Sequence, residues 1–122
     1  MESPFKSKNG LERIAKALEY SLTGLKLAYE HEAAIRQETW LMAVLVPLGL
    51  YLGHTNIERI LLVGVVFLVF IVELLNSAVE AAVDHTSIDH HKLAGRAKDI
   101  GSAAVFVSMM LLLLVWGLVI FD

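Results

Sequence analysis

The chain contains no cysteine, which excludes disulfides, thiolate metal sites and thiol catalysis, although it says nothing about compartment. Positive charge is not in excess: ten Lys and Arg against thirteen Asp and Glu leave a net charge of −3. That balance is not the basic surplus with which a protein grips phosphate backbones, so nucleic acid is not expected as a partner. No Gly-x-x-x-x-Gly-Lys-[Ser/Thr] loop occurs, and neither His-Arg-Asp nor Asp-Phe-Gly is present, so the familiar soluble nucleotide-binding motifs are absent. Repeats, low-complexity tracts and linkers are missing as well. The first long apolar run begins only near Thr39, too late for a cleaved signal peptide.

What is present is largely apolar. Hydrophobic residues make up 57% of 122 positions, with a mean hydropathy of +0.64, high for a soluble single domain of this length and pointing to membrane insertion. Apolar runs occupy residues 39–53, 60–72 and 100–121. The third holds 22 uncharged residues, enough to span, since a crossing helix needs about 20. The first becomes long enough when extended back over Ala33, Ala34 and Ile35, with Arg36 and Glu38 at its polar end and Pro47 as a candidate kink. The second is uncharged for 13 residues and then continues as Glu73-Leu-Leu-Asn76-Ser-Ala-Val-Glu80-Ala-Ala-Val83.

The expected fold is an all-α membrane protein: a surface helix over residues 10–30 and transmembrane helices over 33–53, 58–83 and 100–121 in a single domain. Leu11, Ile14, Leu18, Leu22, Leu25 and Tyr29 recur at steps of three or four with charges between them, the pattern of an amphipathic helix. It can lie on the inner leaflet or pack against the spans of an oligomer, and the two are compatible. Lys6, Lys8, Arg13, Lys16, Lys26 and Arg36 precede the first span, Arg59 alone lies in the next loop, and Lys92, Arg96 and Lys98 lie in the following one. Loops rich in Lys and Arg stay cytoplasmic, so the N-terminus is expected inside and the C-terminus outside.

The polar end of the second span carries the chemistry. At about 100° per residue, Glu73, Asn76, Ser77, Glu80 and Asp84 share one helix face, and the stripe runs about 16 Å along the axis. A carboxylate at membrane depth costs on the order of 3 kcal/mol or more and usually faces a bundle interior or wet cleft with a functional task. Polar glue between helices is the bland alternative, but one polar residue would serve for that. A proton or ion path is a third reading, weakened because the outer half of this span and the whole third span lack ionisable groups. Glu32 adds a carboxylate near the interface, and such groups suit Mg²⁺ held together with substrate phosphates. Taken alone, Glu32 reads rather as a solvated residue paired with Arg36. His31, His54, His90 and His91 read as ordinary polar residues, and Lys98 reads either as a boundary lysine or as a phosphate-neutralising group. The small residues Gly101-Ser102-Ala103-Ala104 serve close packing and cleft formation equally.

The segment Glu73-Leu-Leu-Asn-Ser-Ala-Val-Glu80-Ala-Ala-Val-Asp84 resembles the signature of prokaryotic diacylglycerol kinases. The segment Ala94-Gly-Arg-Ala-Lys98-Asp99-Ile-Gly-Ser-Ala-Ala resembles their second block, and Glu32-Ala-Ala-Ile-Arg36-Gln-Glu38 a third. The resemblance runs from about Leu11 to Trp116 in the same order. It implies a homotrimer in the bacterial inner membrane, with active sites between neighbouring subunits at the cytoplasmic interface, and phosphorylation of diacylglycerol by ATP with Mg²⁺. Carried over by position, Glu73 would be the general base and Asn76 its support, while Glu32 and Glu80 would hold the metal. Nucleotide contacts would fall to Arg13, Tyr20, Glu32, Glu80, Asp84, Asp89, His90, His91, Lys98 and Asp99. Lipid contacts would fall to Arg13, Ser21, Leu22, Ala34, Ile35, Arg36, Gln37, Glu38, Glu73, Ser102 and Trp116. At the first position of Asp89-His90-His91 the family often has a longer acidic side chain. A polyprenol kinase of the same superfamily and a non-enzymatic membrane oligomer are the alternatives.

Overall fold

A computed structural model describes residues 9–86 and 91–122. They form four helices: α1 (Gly10–His31), α2 (Ala33–Leu52), α3 (Asn56–Thr86) and α4 (His91–Ile120). No strand occurs among the described residues. The chain divides into two compact units, Met1–Ala33 and Ala34–Asp122.

The first unit is α1. Asn9 caps it, its Oδ1 accepting from the Leu11 N–H at 2.9 Å, which satisfies one of the donors a helix start leaves unpaired. Glu12–Lys16 and Lys26–Glu30 pair one turn apart on its surface, each contributing only tenths of a kcal/mol, about 0.3–0.5. The helix buries no residue, and Leu11, Ile14, Leu18, Leu22 and Leu25 are all exposed. The apolar stripe seen in the sequence is therefore a real face. At Glu32 the backbone turns extended (φ −119°, ψ 112°), and α2 starts at the next residue. The continuous helix that an i,i+4 pairing of Glu32 with Arg36 assumes is interrupted there.

In the second unit α2 and α3 form a hairpin with a tight turn. Thr55 and Glu58 begin α3 in the manner of a capping box: Thr55 Oγ1 accepts from the Glu58 N–H at 3.2 Å. The Glu58 carboxylate accepts from the His54 N–H at 3.0 Å, one residue earlier than the usual box. Arg59 closes the preceding helix, its Nε donating to the Leu50 carbonyl at 3.1 Å and its Nη1 to Asn56 Oδ1 at 3.0 Å. Gly53 is required by this approach, since a β-carbon there would lie 2.6 Å from Arg59 Cγ and 2.9 Å from its backbone nitrogen. Gly49 lets α2 close onto α3, where a β-carbon would meet Leu62 Cβ at 3.2 Å and the Trp116 ring at 3.5 Å.

Helices α3 and α4 make the main helix contact. Among the described residues Leu62, Val65, Val66 and Val69 of α3, with Ile35 of α2, are the buried apolar side chains. Both α3 and α4 are long and apolar enough to cross a bilayer, and Phe67, Ile71, Phe106, Leu113, Leu114 and Leu118 are exposed. A soluble protein does not leave such a surface to water, so hydrocarbon or neighbouring chains must cover it. Ala103 and Ala104, both exposed, line with Leu68, Val72 and Leu111 an open groove of about 490 Å³ between α3 and α4.

Candidate active site

Along α3 the stripe read from the sequence is graded by burial. Glu73 is 6% exposed, Asn76, Ser77 and Glu80 are half-buried, and Asp84 is exposed. A helix that emerges from its packing partners produces this order, since successive turns rise about 5.4 Å and share a face.

Glu73 is not alone at its depth. Glu38 on α2 is also 6% exposed, and the two carboxyl groups lie within Coulombic reach of each other. The hairpin explains the pairing. Gly49 meets Leu62; eleven residues back on α2 and eleven forward on α3 bring Glu38 to Glu73, about 16 Å along the pair and close to three turns of each helix. Neither helix hints at this by itself, since periodicity sorts residues on one helix and says nothing of the partner. Counting from the turn at residues 53–55 would set Glu38 opposite Phe70 instead, so the register becomes visible only through the Gly49–Leu62 contact.

Asn76 is tied one turn along the same helix. Its Nδ2 donates to Glu80 Oε1 at 3.4 Å, while its Oδ1 is buried without a hydrogen-bond partner. A carboxamide donates through its nitrogen and accepts through its oxygen, so with the nitrogen on Glu80 the oxygen faces away. A buried acceptor left unmade costs about 1–3 kcal/mol, so this carboxamide is held at some expense. At the mouth of the site Lys98 Nζ lies 2.7 Å from Asp84 Oδ1, which favours the charged lysine and ties the start of α4 to the end of α3.

The remaining sequence-predicted positions divide by location. Glu38, Glu73, Asn76, Glu80, Asp84 and Lys98 fall at one end of the α2–α4 unit, with Asp99 and Ser102 exposed nearby on α4. Ala34 and Gln37 are exposed and Arg36 is half-buried, but Ile35 is fully buried and acts as core. Trp116 lies at the opposite end of α4 from Ser102, about 21 Å along the helix. Its indole N–H is engaged within the chain, donating to the Leu62 carbonyl at 3.0 Å. Arg13, Tyr20, Ser21 and Leu22 are exposed on α1, and the Ser21 hydroxyl donates back to Ala17 O at 2.8 Å. Glu32 is the half-buried residue that ends α1. Asp89, His90 and the His91 side chain lie outside the described residues.

Comparison with known proteins shows the family of the chain. The family model for prokaryotic diacylglycerol kinase matches residues 19–120. The chain belongs to that family. It is 47% identical over 112 residues to the diacylglycerol kinase of Haemophilus influenzae, covering 92% of this chain and 95% of that one. It is 46% identical over 118 residues to that of Pseudomonas aeruginosa, with 97% and 96% covered. With the diacylglycerol kinase of Escherichia coli K12 it shares 44% identity over 113 residues, 93% of each chain. As a member of this family the chain is an enzyme, a kinase. The buried carboxyl pair, the Asn76–Glu80 hydrogen bond and the Asp84–Lys98 pair all lie within the matched residues.

Proposed function

We propose that the enzyme transfers the γ-phosphoryl group of ATP to the free hydroxyl of diacylglycerol, giving phosphatidic acid and ADP at the cytoplasmic face of a bacterial inner membrane. The observation that carries this reading is the graded acidic stripe of α3, buried at Glu73 and solvent-exposed at Asp84. One end suits a hydroxyl carried by a lipid and the other a soluble nucleotide.

In this reading the Glu73 carboxylate takes the proton of the lipid hydroxyl as its oxygen forms the new bond to the γ-phosphorus. The bond from that phosphorus to the β,γ-bridging oxygen breaks, and ADP leaves with the electron pair. Glu73 then returns its proton to water. Positioning and charge neutralisation do most of the catalysis in such transfers. Asn76 supports the constellation by holding Glu80, and Lys98, fixed by Asp84, meets the transferring phosphate. Arg13, Tyr20 and Asp99, with Asp89, His90 and His91, complete the nucleotide site in this proposal. Ser21, Leu22, Ala34, Ile35, Arg36, Gln37, Glu38, Ser102 and Trp116 complete the lipid site, Ile35 and Trp116 only by shaping its walls.

Mg²⁺ fits the donors available. Among the described residues no three His, Asp or Glu side chains cluster to hold a metal, so a cation here would depend on phosphate oxygens beside one or two carboxylates, the usual habit of Mg²⁺. Glu80 is half-buried with only one oxygen facing Asn76, and Glu32 is the second ligand proposed. When bound, Mg²⁺ neutralises charge developing on the phosphate oxygens.

A homotrimer with three spans per chain and sites shared between subunits completes the proposal; the exposed apolar faces of α3 and α4 supply surface for it. The deciding measurement is transfer of radiolabelled phosphate from ATP into lipid, with a short-chain diacylglycerol and a polyprenol offered separately. Labelled phosphatidic acid is expected. Preferential labelling of the polyprenol would replace the acceptor, and labelling of neither would reject the reading.

A further inference from the structure

Gly101 of α4 faces Asn76 of α3, and a side chain there would have to displace the Asn76 carboxamide. A β-carbon built there would collide with Oδ1 of Asn76, and lie 3.2 Å from its Cγ. The same Oδ1 is the buried acceptor without a partner, and the other end of the same amide donates to Glu80. The carboxamide therefore occupies the volume a larger residue would claim. With its nitrogen committed to a carboxylate, it cannot invert without presenting oxygen to oxygen.

We propose that Gly101 is a positioning residue for phosphoryl transfer. By lacking a side chain it admits the Asn76 carboxamide between the two helices, and so sets the direction in which Glu80 points. The proposal rests on the kinase reading above, and adds to it a residue that touches neither substrate. Gly101 does not serve a backbone need, since no glycine among the described residues has positive φ. Nor does it serve close helix approach alone, because the atom that fills its space is a polar side chain rather than the facing backbone.

Gly101→Ala should push the carboxamide aside, release Glu80 and misplace whatever Glu80 holds. Small misplacements of this kind cost about 10-fold or more in kcat. Four forms compared in bilayers test this: wild type, Gly101→Ala, Asn76→Ala and the double variant. Gly64→Ala is the control, at a glycine where a β-carbon meets nothing within 4 Å. Gly101→Ala is expected to lower kcat and raise the Mg²⁺ requirement by about as much as Asn76→Ala. The double variant should be no worse than Asn76→Ala, because the group that the added methyl displaces is already gone. If Gly101→Ala fails to fold, the double variant should recover the fold, since removing the carboxamide vacates the space.

Wild-type kinetics in Gly101→Ala, losses that multiply in the double variant, or a double variant no more stable than a misfolded Gly101→Ala would each overturn the proposal. The stability arm does not need activity. A wild-type chain without lipid phosphorylation would sink the kinase reading, while recovery of fold in the double variant would still be read independently.

Discussion

Among single residues, Glu73 is the one whose charge has the least reason to be where it is. A carboxyl 6% exposed within Coulombic reach of a second one equally buried is hard to justify by packing, since apolar side chains fill such space without desolvating charge. Replacing Glu73 by Gln keeps the shape and removes the base, so turnover should fall by about 10²–10⁴-fold while nucleotide binding and the unfolding midpoint stay near wild type. Equal loss of nucleotide binding would place Glu73 in the ATP site instead. The Asp84–Lys98 pair belongs to a different regime. Both side chains are solvent-accessible, and exposed pairs contribute little to stability. Asp84→Asn should leave thermal unfolding unchanged but raise KM for ATP by freeing Lys98, and added salt should mimic it by screening. A marked drop in unfolding temperature would show the pair to be structural. The stripe from Glu73 to Asp84 was legible because one helix's period is enough to find it. The Glu38 neighbour and the Asn76–Gly101 contact were not, because both join residues on different helices.

At the level of helices, all four were legible in the sequence, and what hydropathy left out is the polar extension of the last. The apolar run that marks the last span begins at Ile100, yet α4 begins at His91; a hydropathy criterion detects the part of a helix suited to hydrocarbon and is blind to its polar extension. The break between α1 and α2 carries no proline or glycine at Glu32, yet it was legible, because the amphipathic pattern stops at Tyr29 and the apolar span opens at Ala33. Trp116 shows the converse, a residue that the family resemblance set against lipid and whose N–H is used inside the fold. Trp116→Phe retains most of the ring and deletes the donor. It should lower stability by about 0.5–1.5 kcal/mol, read by thermal unfolding in detergent, with the KM for lipid nearly unchanged. A large rise in that KM with stability intact would show Trp116 to contact the lipid directly rather than only shape the wall of its site.

For the whole molecule, the exposed apolar surface of α3 and α4 requires an environment the chain does not supply. Hydrocarbon meets that requirement, as copies of the chain would in the proposed trimer, and a bilayer fixes which turns face which compartment. The native chain has no thiol, so single introduced cysteines report topology without background. A membrane-impermeant maleimide should label His54→Cys in intact cells, and should label Asp84→Cys only after the inner membrane is opened. Labelling of both from outside would reject the N-terminus-in arrangement on which the cytoplasmic site depends.

The hairpin that joins α2 and α3 sets angular phase as well as distance. Its tight end at Gly53 and Gly49 and its acidic end at Glu38 and Glu73 are separated by nearly whole turns, so the two ends face alike. One alanine inserted between residues 39 and 48 would swing Glu38 by about 100° while leaving every nearby side chain chemically intact. Turnover should collapse in that insertion variant, and nucleotide binding should survive. The far side of the membrane would then be acting as the clock face against which the near side keeps time.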